Sequence, residues 1–184
     1  VLGAVHAHAR APPPAPPPRG GGAAVVVGQG NVALDCARVL TSPVEALAAT
    51  DACSHAVEVL REARPSLVSV AGRRGHVQAA FTIKELRELT KLEDVYLRIR
   101  GEELEMGMTQ ASAEEVASQR AKKRLVELLH KSADAPFNHQ PRAIDLRFLM
   151  RPVELREDPN RPGWLGSVVM ERTKLAGPAG AQSC

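Results

Sequence analysis

Two short stretches carry residue types suited to holding a charged ligand. The first is Gly28-Gln29-Gly30-Asn31-Val32 and the second is Gly72-Arg73-Arg74-Gly75. The first lies between an apolar run, Ala24-Val25-Val26-Val27, and a helical pattern that begins at Asn31. Strand, tight turn and helix N-terminus in that order open a dinucleotide-binding βαβ unit. Gly28 permits the turn. Gly30 has no side chain, so a pyrophosphate can approach the backbone there. Ala33 holds the third position of the fingerprint, a small residue that lets helix and strand pack closely. The anion would rest on free N–H groups at the positive end of the helix dipole. Asn31 stands at the helix start, where it also suits an N-cap. Asp35, one turn further on, is placed to pair with Arg38 and has no site role. The alternative reading of the whole stretch is a strand–helix turn that binds nothing.

Arg73 and Arg74 follow a second apolar run, Leu67-Val68-Ser69-Val70-Ala71. In a dinucleotide fold the end of the second strand meets the adenosine ribose. An acidic residue there accepts from the 2′-hydroxyl of NAD, whereas arginine pairs with the 2′-phosphate of NADP. This chain has two arginines and no acid, and the planar guanidinium fork matches phosphate. The pair lies roughly forty residues beyond the glycine turn, against the ordinary ~20. An extra helix within residues 42–63 accounts for that distance. A solvated basic turn is the alternative.

The remaining chemistry is sparse. His76, His130 and His139 have no metal-ligand spacing, and no nucleophile–base pattern stands out. No metal site and no catalytic residue are assigned. Cys36, Cys53 and Cys184 are odd in number and lack C-x-x-C spacing, which fits a reducing compartment. The 184 residues carry a net charge of +3 with a pI near 9.0. With only 3% aromatics there is little to stack on bases, so nucleic acid is not the expected partner. No apolar run approaches the ~18 residues of a membrane span.

The elements that must position these stretches follow from periodicity and caps. Residues 1–22, rich in Pro, Ala and Gly with the run Pro12–Pro18 broken only by Ala15, read as disordered or polyproline II. Residues 23–176 read as one nucleotide-binding domain and 177–184 as a featureless tail. Strands are expected at 25–28, 67–71, 95–99, 144–149 and 167–174, the last two antiparallel. Helices are expected at 31–40, 52–63, 82–92 and 112–131. Ser42-Pro43-Val44-Glu45, Thr82-Ile83-Lys84-Glu85 and Ser112-Ala113-Glu114-Glu115 read as capping boxes. Glu85 is thereby first a helix cap, and Arg120-Ala121-Lys122-Lys123-Arg124 a solvated helix face, with docking of an acidic partner as the alternative. The expected fold is α/β, a Rossmann-like domain with a mostly parallel sheet, helices on its faces and an antiparallel excursion.

Three blocks in order, Val25–Asp35, Val70–Gly75 and Gln78–Leu89, resemble the adrenodoxin reductase family of NADPH:ferredoxin oxidoreductases. Leu97–Arg100, Met106–Thr109 and Arg120–Arg124 are similar to its plant and algal branch. The resemblance runs from about Ala24 to about Lys174. It implies that Gln29, Gly30, Asn31 and Val32 line the pyrophosphate and nicotinamide side of NADP. It further implies that Arg73 and Arg74 hold the 2′-phosphate and that Glu85 is another NADP contact. The family passes hydride from NADPH to FAD and single electrons to an acidic iron–sulfur ferredoxin in mitochondria. The family's FAD half carries Gly-rich segments of its own that this sequence lacks, and no clear transit peptide is evident. The resemblance therefore implies the NADP domain of a two-domain flavoenzyme, the missing FAD domain being a partner. A non-catalytic NADP-binding module or an inactive truncated product is the alternative. His76 departs from the family's usual Pro.

Overall fold

The computed structural model describes residues 22–137 and 139–184. The Pro-rich run lies outside them. In chain order the elements are β1 (Ala23–Val27), α1 (Asn31–Thr41), α2 (Val44–Ala48), α3 (Ser54–Ala63) and β2 (Leu67–Ala71). A 3-10 turn at His76–Gln78 precedes α4 (Ile83–Thr90), β3 (Val95–Ile99), α5 (Gly101–Gly107), α6 (Gln110–Ser118) and α7 (Arg120–Ala133). The chain then runs through β4 (Arg142–Arg147), β5 (Met150–Asp158) and β6 (Arg161–Arg172).

Four strands form one sheet in the order β1-β2-β4-β3. Every pairing in it is parallel. Each crossover is therefore long, and α1 to α3 and α4 to α7 supply the length. The strand at 142–147 is thus a parallel member of the main sheet, not half of an antiparallel pair. The antiparallel element is a separate ribbon of β5 and β6.

Burial of one sheet face explains how the elements assemble. Val68 and Val70 of β2, Leu97 of β3 and Ile144 and Leu146 of β4 are all under 8% exposed. They meet Leu34 and Ala37 of α1, Leu86 and Leu89 of α4, and Leu125 and Leu129 of α7 in one core. The apolar spacing of those helices, three and four residues apart, is what forms that seam. The opposite face is different. There Ser69, Asp145 and Arg98 stand in register across β2, β4 and β3, and Arg98 pairs with Asp145 at 2.6 Å. Helices α1, α4 and α7 thus pack on one face of the sheet.

Three capping expectations change. Ser42 gives its hydroxyl to the Arg38 carbonyl at 2.7 Å, closing the end of α1 rather than opening α2. Ser112 does not start a long helix. Thr109 is the N-cap and accepts from the Ser112 N–H at 3.1 Å, and extended backbone at Gln119 divides α6 from α7. In the third, Thr82 is the N-cap of α4, but its hydroxyl bonds the Glu85 carboxylate rather than a helix N–H. The segment after Gly177 is not featureless. Ala176 and Ser183 exchange two backbone bonds of 2.9 Å, and Gln182 is buried.

Candidate functional site

Adjacent parallel strands deliver both predicted stretches to the same edge of the sheet. β1 ends at the glycine turn, β2 ends at the arginine loop, and the Gly28 N–H donates to the Ala71 carbonyl at 2.8 Å. Ligands of open α/β sheets bind outside such carboxyl ends. Gly28 has φ of +130°, a conformation that L side chains resist. A Cβ on Gly30 would meet nothing within 4 Å, so the backbone there faces open space.

The first turn of α1 offers unclaimed donors. Gly30 is its N-cap, no side chain caps it, and no acidic residue lies in the turn. Helix starts leave such N–H groups without intrahelical partners, and the dipole makes them attractive to an anion. Asn31 is therefore the first helical residue rather than the cap. Its Oδ1 accepts from the Thr82 N–H at 2.9 Å, and the Gln29 carbonyl accepts from the Ala80 N–H at 2.8 Å. These two bonds bring the start of α4, and with it Glu85, beside the glycine turn. The Thr82 hydroxyl holds the Glu85 carboxyl below its usual range, so it is ionised at neutral pH. Val32 is 69% exposed. With Gly28 and Gly30 it lines a cleft of about 830 Å³ whose far wall is the apolar side of the β5–β6 ribbon, including Val153, Leu155 and Leu165.

Gln29 has a role that its neighbours do not share. Its amide crosses over Gly72 and donates to the Arg147 carbonyl at 2.8 Å. A Cβ on Gly72 would lie 2.3 Å from the Gln29 Cδ, so only glycine leaves room for this crossing. The Gly72 N–H bonds the same carbonyl at 3.0 Å. Arg147 is itself fixed by Glu103, which is fully buried in α5. One Glu103 oxygen takes the Arg147 guanidinium at 2.7 and 2.9 Å, and the other takes the Phe148 N–H at 2.8 Å. Glu103 and Arg147 escaped sequence reading because nothing local links residues so far apart.

Arg73 and Arg74 are exposed. Among the described residues no carboxylate pairs with either guanidinium, while Asp35 and Arg38 do pair, at 3.2 Å. Two unneutralised cations thus stand next to a helix start that lacks its own anion. Beneath their loop lies His76, fully buried and edge-on to Phe148 and His130. Neither ring nitrogen has a hydrogen-bond partner. Burial, and then the neighbouring His130, push its pKa down to about 4.

No family profile matches the chain. It is 39% identical over 154 residues to the mitochondrial NADPH:adrenodoxin oxidoreductase of Arabidopsis thaliana, a match covering 82% of this chain and 32% of that protein. The Mycobacterium tuberculosis NADPH-ferredoxin reductase FprA is 41% identical over 131 residues, covering 71% of this chain and 28% of its own length. A solved structure of M. tuberculosis FprA in complex with NADPH superposes on 91% of this chain with a TM-score of 0.78 and 36% identity. The chain belongs to the adrenodoxin reductase family. It spans about a third of the length of these relatives. Within this adrenodoxin-reductase fold, all eight residues singled out from sequence lie on three connected segments, 28–32, 73–74 and 85.

Two outcomes test this geometry. Gly72→Ala alone should destabilise the chain by ~1–3 kcal/mol, because the new Cβ must displace an amide pinned to Arg147. In a Gln29→Ala background that cost should largely vanish in a denaturant double-mutant cycle; equal costs in both backgrounds would contradict the crossing. For His76, the unfolded ring binds a proton below its ordinary pKa of 6.5 while the folded ring stays neutral to about 4. Stability should therefore be full above pH 6.5 and fall by up to about 1.4 kcal/mol per pH unit between those values. Urea unfolding of His76→Leu should lack that component.

Proposed function

We propose that this chain is the NADP-binding portion of an NADPH:ferredoxin oxidoreductase, presenting the nicotinamide to a flavin held by another part of the enzyme. One observation carries the reading: an uncapped helix start and two unpaired arginines meet at adjoining strand ends. The pyrophosphate is assigned to the first turn of α1, over Gly28, Gly30 and the N–H groups of Asn31 and Val32. The 2′-phosphate is assigned to Arg73 and Arg74. Gln29 keeps the two lobes at a fixed spacing through its own tether. Glu85, ionised and anchored on Thr82, lies beside the turn, where it suits the hydroxyls of a ribose.

FAD is assigned no residue of this chain. Among the described residues only Gly28-Gln29-Gly30 has the Gly-x-Gly pattern after a strand, and that turn belongs to NADP in this reading. The flavin, bound elsewhere, supplies the conversion of a hydride into single electrons. This chain's residues bind the donor and orient it. The proposed electron acceptor is an acidic iron–sulfur ferredoxin. Arg120, Lys123 and Arg124 support that choice, because they form an exposed basic face on α7, suited to steering an acidic partner. A mitochondrial location is proposed with it, since relatives in plants and animals are named mitochondrial.

The coenzyme assignment rests on the arginine pair and is tested there. Each arginine–phosphate pair is worth ~1.5–3 kcal/mol. Arg73→Ala with Arg74→Ala should therefore weaken NADPH binding tenfold or much more in a fluorescence titration. NADH binding should stay unchanged. Equal affinity of the unaltered chain for the two coenzymes, with no loss in the double variant, would overturn the assignment.

A further inference from the structure

The carbonyls of Arg73 and Arg74 are both taken, although among the described residues no carboxylate pairs with their guanidinium groups. The Arg73 carbonyl accepts from the Thr173 hydroxyl and from the Cys184 thiol at 2.9 Å. The Arg74 carbonyl accepts from the Leu149 N–H at 3.1 Å, and the Leu149 carbonyl accepts from the Thr173 N–H at 2.9 Å. Leu149 has φ of +57°, a left-handed conformation that a leucine holds only when its surroundings impose it. Thr173 therefore reaches the arginine loop twice, once directly and once through Leu149.

The segment that carries Thr173 is anchored at its far end. Gln182 is 5% exposed. Its amide nitrogen donates to the Thr109 hydroxyl at 2.8 Å, and its oxygen accepts from Ser112 at 2.7 Å and from Gln78 at 3.0 Å. Gln78 lies just after the arginine loop. Between the two anchors Leu175 packs on the loop: a Cβ on Gly75 would lie 2.9 Å from the Leu175 Cδ1. The loop is thus gripped by residues 173–182, not by the strands alone.

We infer that residues 173–184 form a clamp that sets the shape of the phosphate-reading loop, with Thr173 the positioning residue that makes the chain discriminate NADPH from NADH. The inference rests on the NADP assignment above. Its physical basis is that the clamp fixes peptide planes while leaving the guanidinium groups to the ligand. Two arginines on a floppy loop would spend binding energy on ordering themselves.

Thr173→Val keeps the side-chain shape and removes the hydroxyl, whereas Thr173→Ser keeps the hydroxyl. In the full chain, Thr173→Val should weaken NADPH binding three- to tenfold, leave NADH binding unchanged, and speed amide exchange across Arg73–Gly75. Thr173→Ser should restore both. Gln182→Leu should act in the same direction by releasing the far anchor. Equal weakening for both coenzymes, or a Thr173→Ser as defective as Thr173→Val, would overturn the clamp. If the unaltered chain binds NADH as well as NADPH, the coenzyme assignment fails, and amide exchange alone decides the clamp. Faster exchange in Thr173→Val but not in Thr173→Ser upholds the clamp, and no change overturns it.

Discussion

A single carbonyl, that of Arg147 at the end of β4, holds the two lobes of the site together. The Gln29 amide reaches it from the glycine turn, and the Gly72 N–H reaches it from the arginine loop. Glycine at position 72 is what lets the longer side chain cross. Glu103, without solvent contact, neutralises the Arg147 guanidinium and caps the next N–H. A buried carboxylate that lost this partner would carry a large desolvation cost. The site is therefore built from a backbone acceptor, a buried ion pair behind it, and a missing side chain in front of it.

The rest of the electrostatics follows the same division. Where cations have structural work they are paired: Arg98 with Asp145, Arg147 with Glu103, Lys122 with Glu115. Among the described residues Arg73 and Arg74 are left unpaired at the strand ends, beside a helix whose first turn holds no acidic residue of its own. Positive potential is thereby concentrated at one crevice in a chain whose net charge is only +3. Beside that crevice the sheet is unusual. β1 ends the sheet order, and Val25 and Val27 are 39% and 50% exposed. Together with the ribbon they give the charged crevice an apolar flank, a suitable surround for a flat, weakly polar ring.

Much of this was legible in the sequence because it depends on short-range pattern. β2 and β3 match their expected spans, since Leu67–Ala71 is apolar but for Ser69 and Val95–Ile99 alternates, each between clear breaks. The glycine turn and arginine pair declare themselves by residue type. The misses have physical reasons. β5 contains Pro152, which demotes a strand reading, and its alternation is confined to the short stretch Val153–Arg156. The break between α6 and α7 falls at Gln119, which is neither Gly nor Pro and gives no signal. Ser112 resembled a cap, but its hydroxyl serves Gln182, seventy residues away. Long-range polar contacts of that kind, like Glu103 with Arg147, leave no trace in local composition.

The central claim is that the glycine turn and the arginine loop act as one site, and amide hydrogen exchange with and without NADPH tests it most directly. Saturating NADPH should protect the amides of residues 30–33 and 72–75 together, while amides of the β5–β6 hairpin tip around Asn160 stay unchanged. Protection of only one stretch, or of neither, would contradict the account.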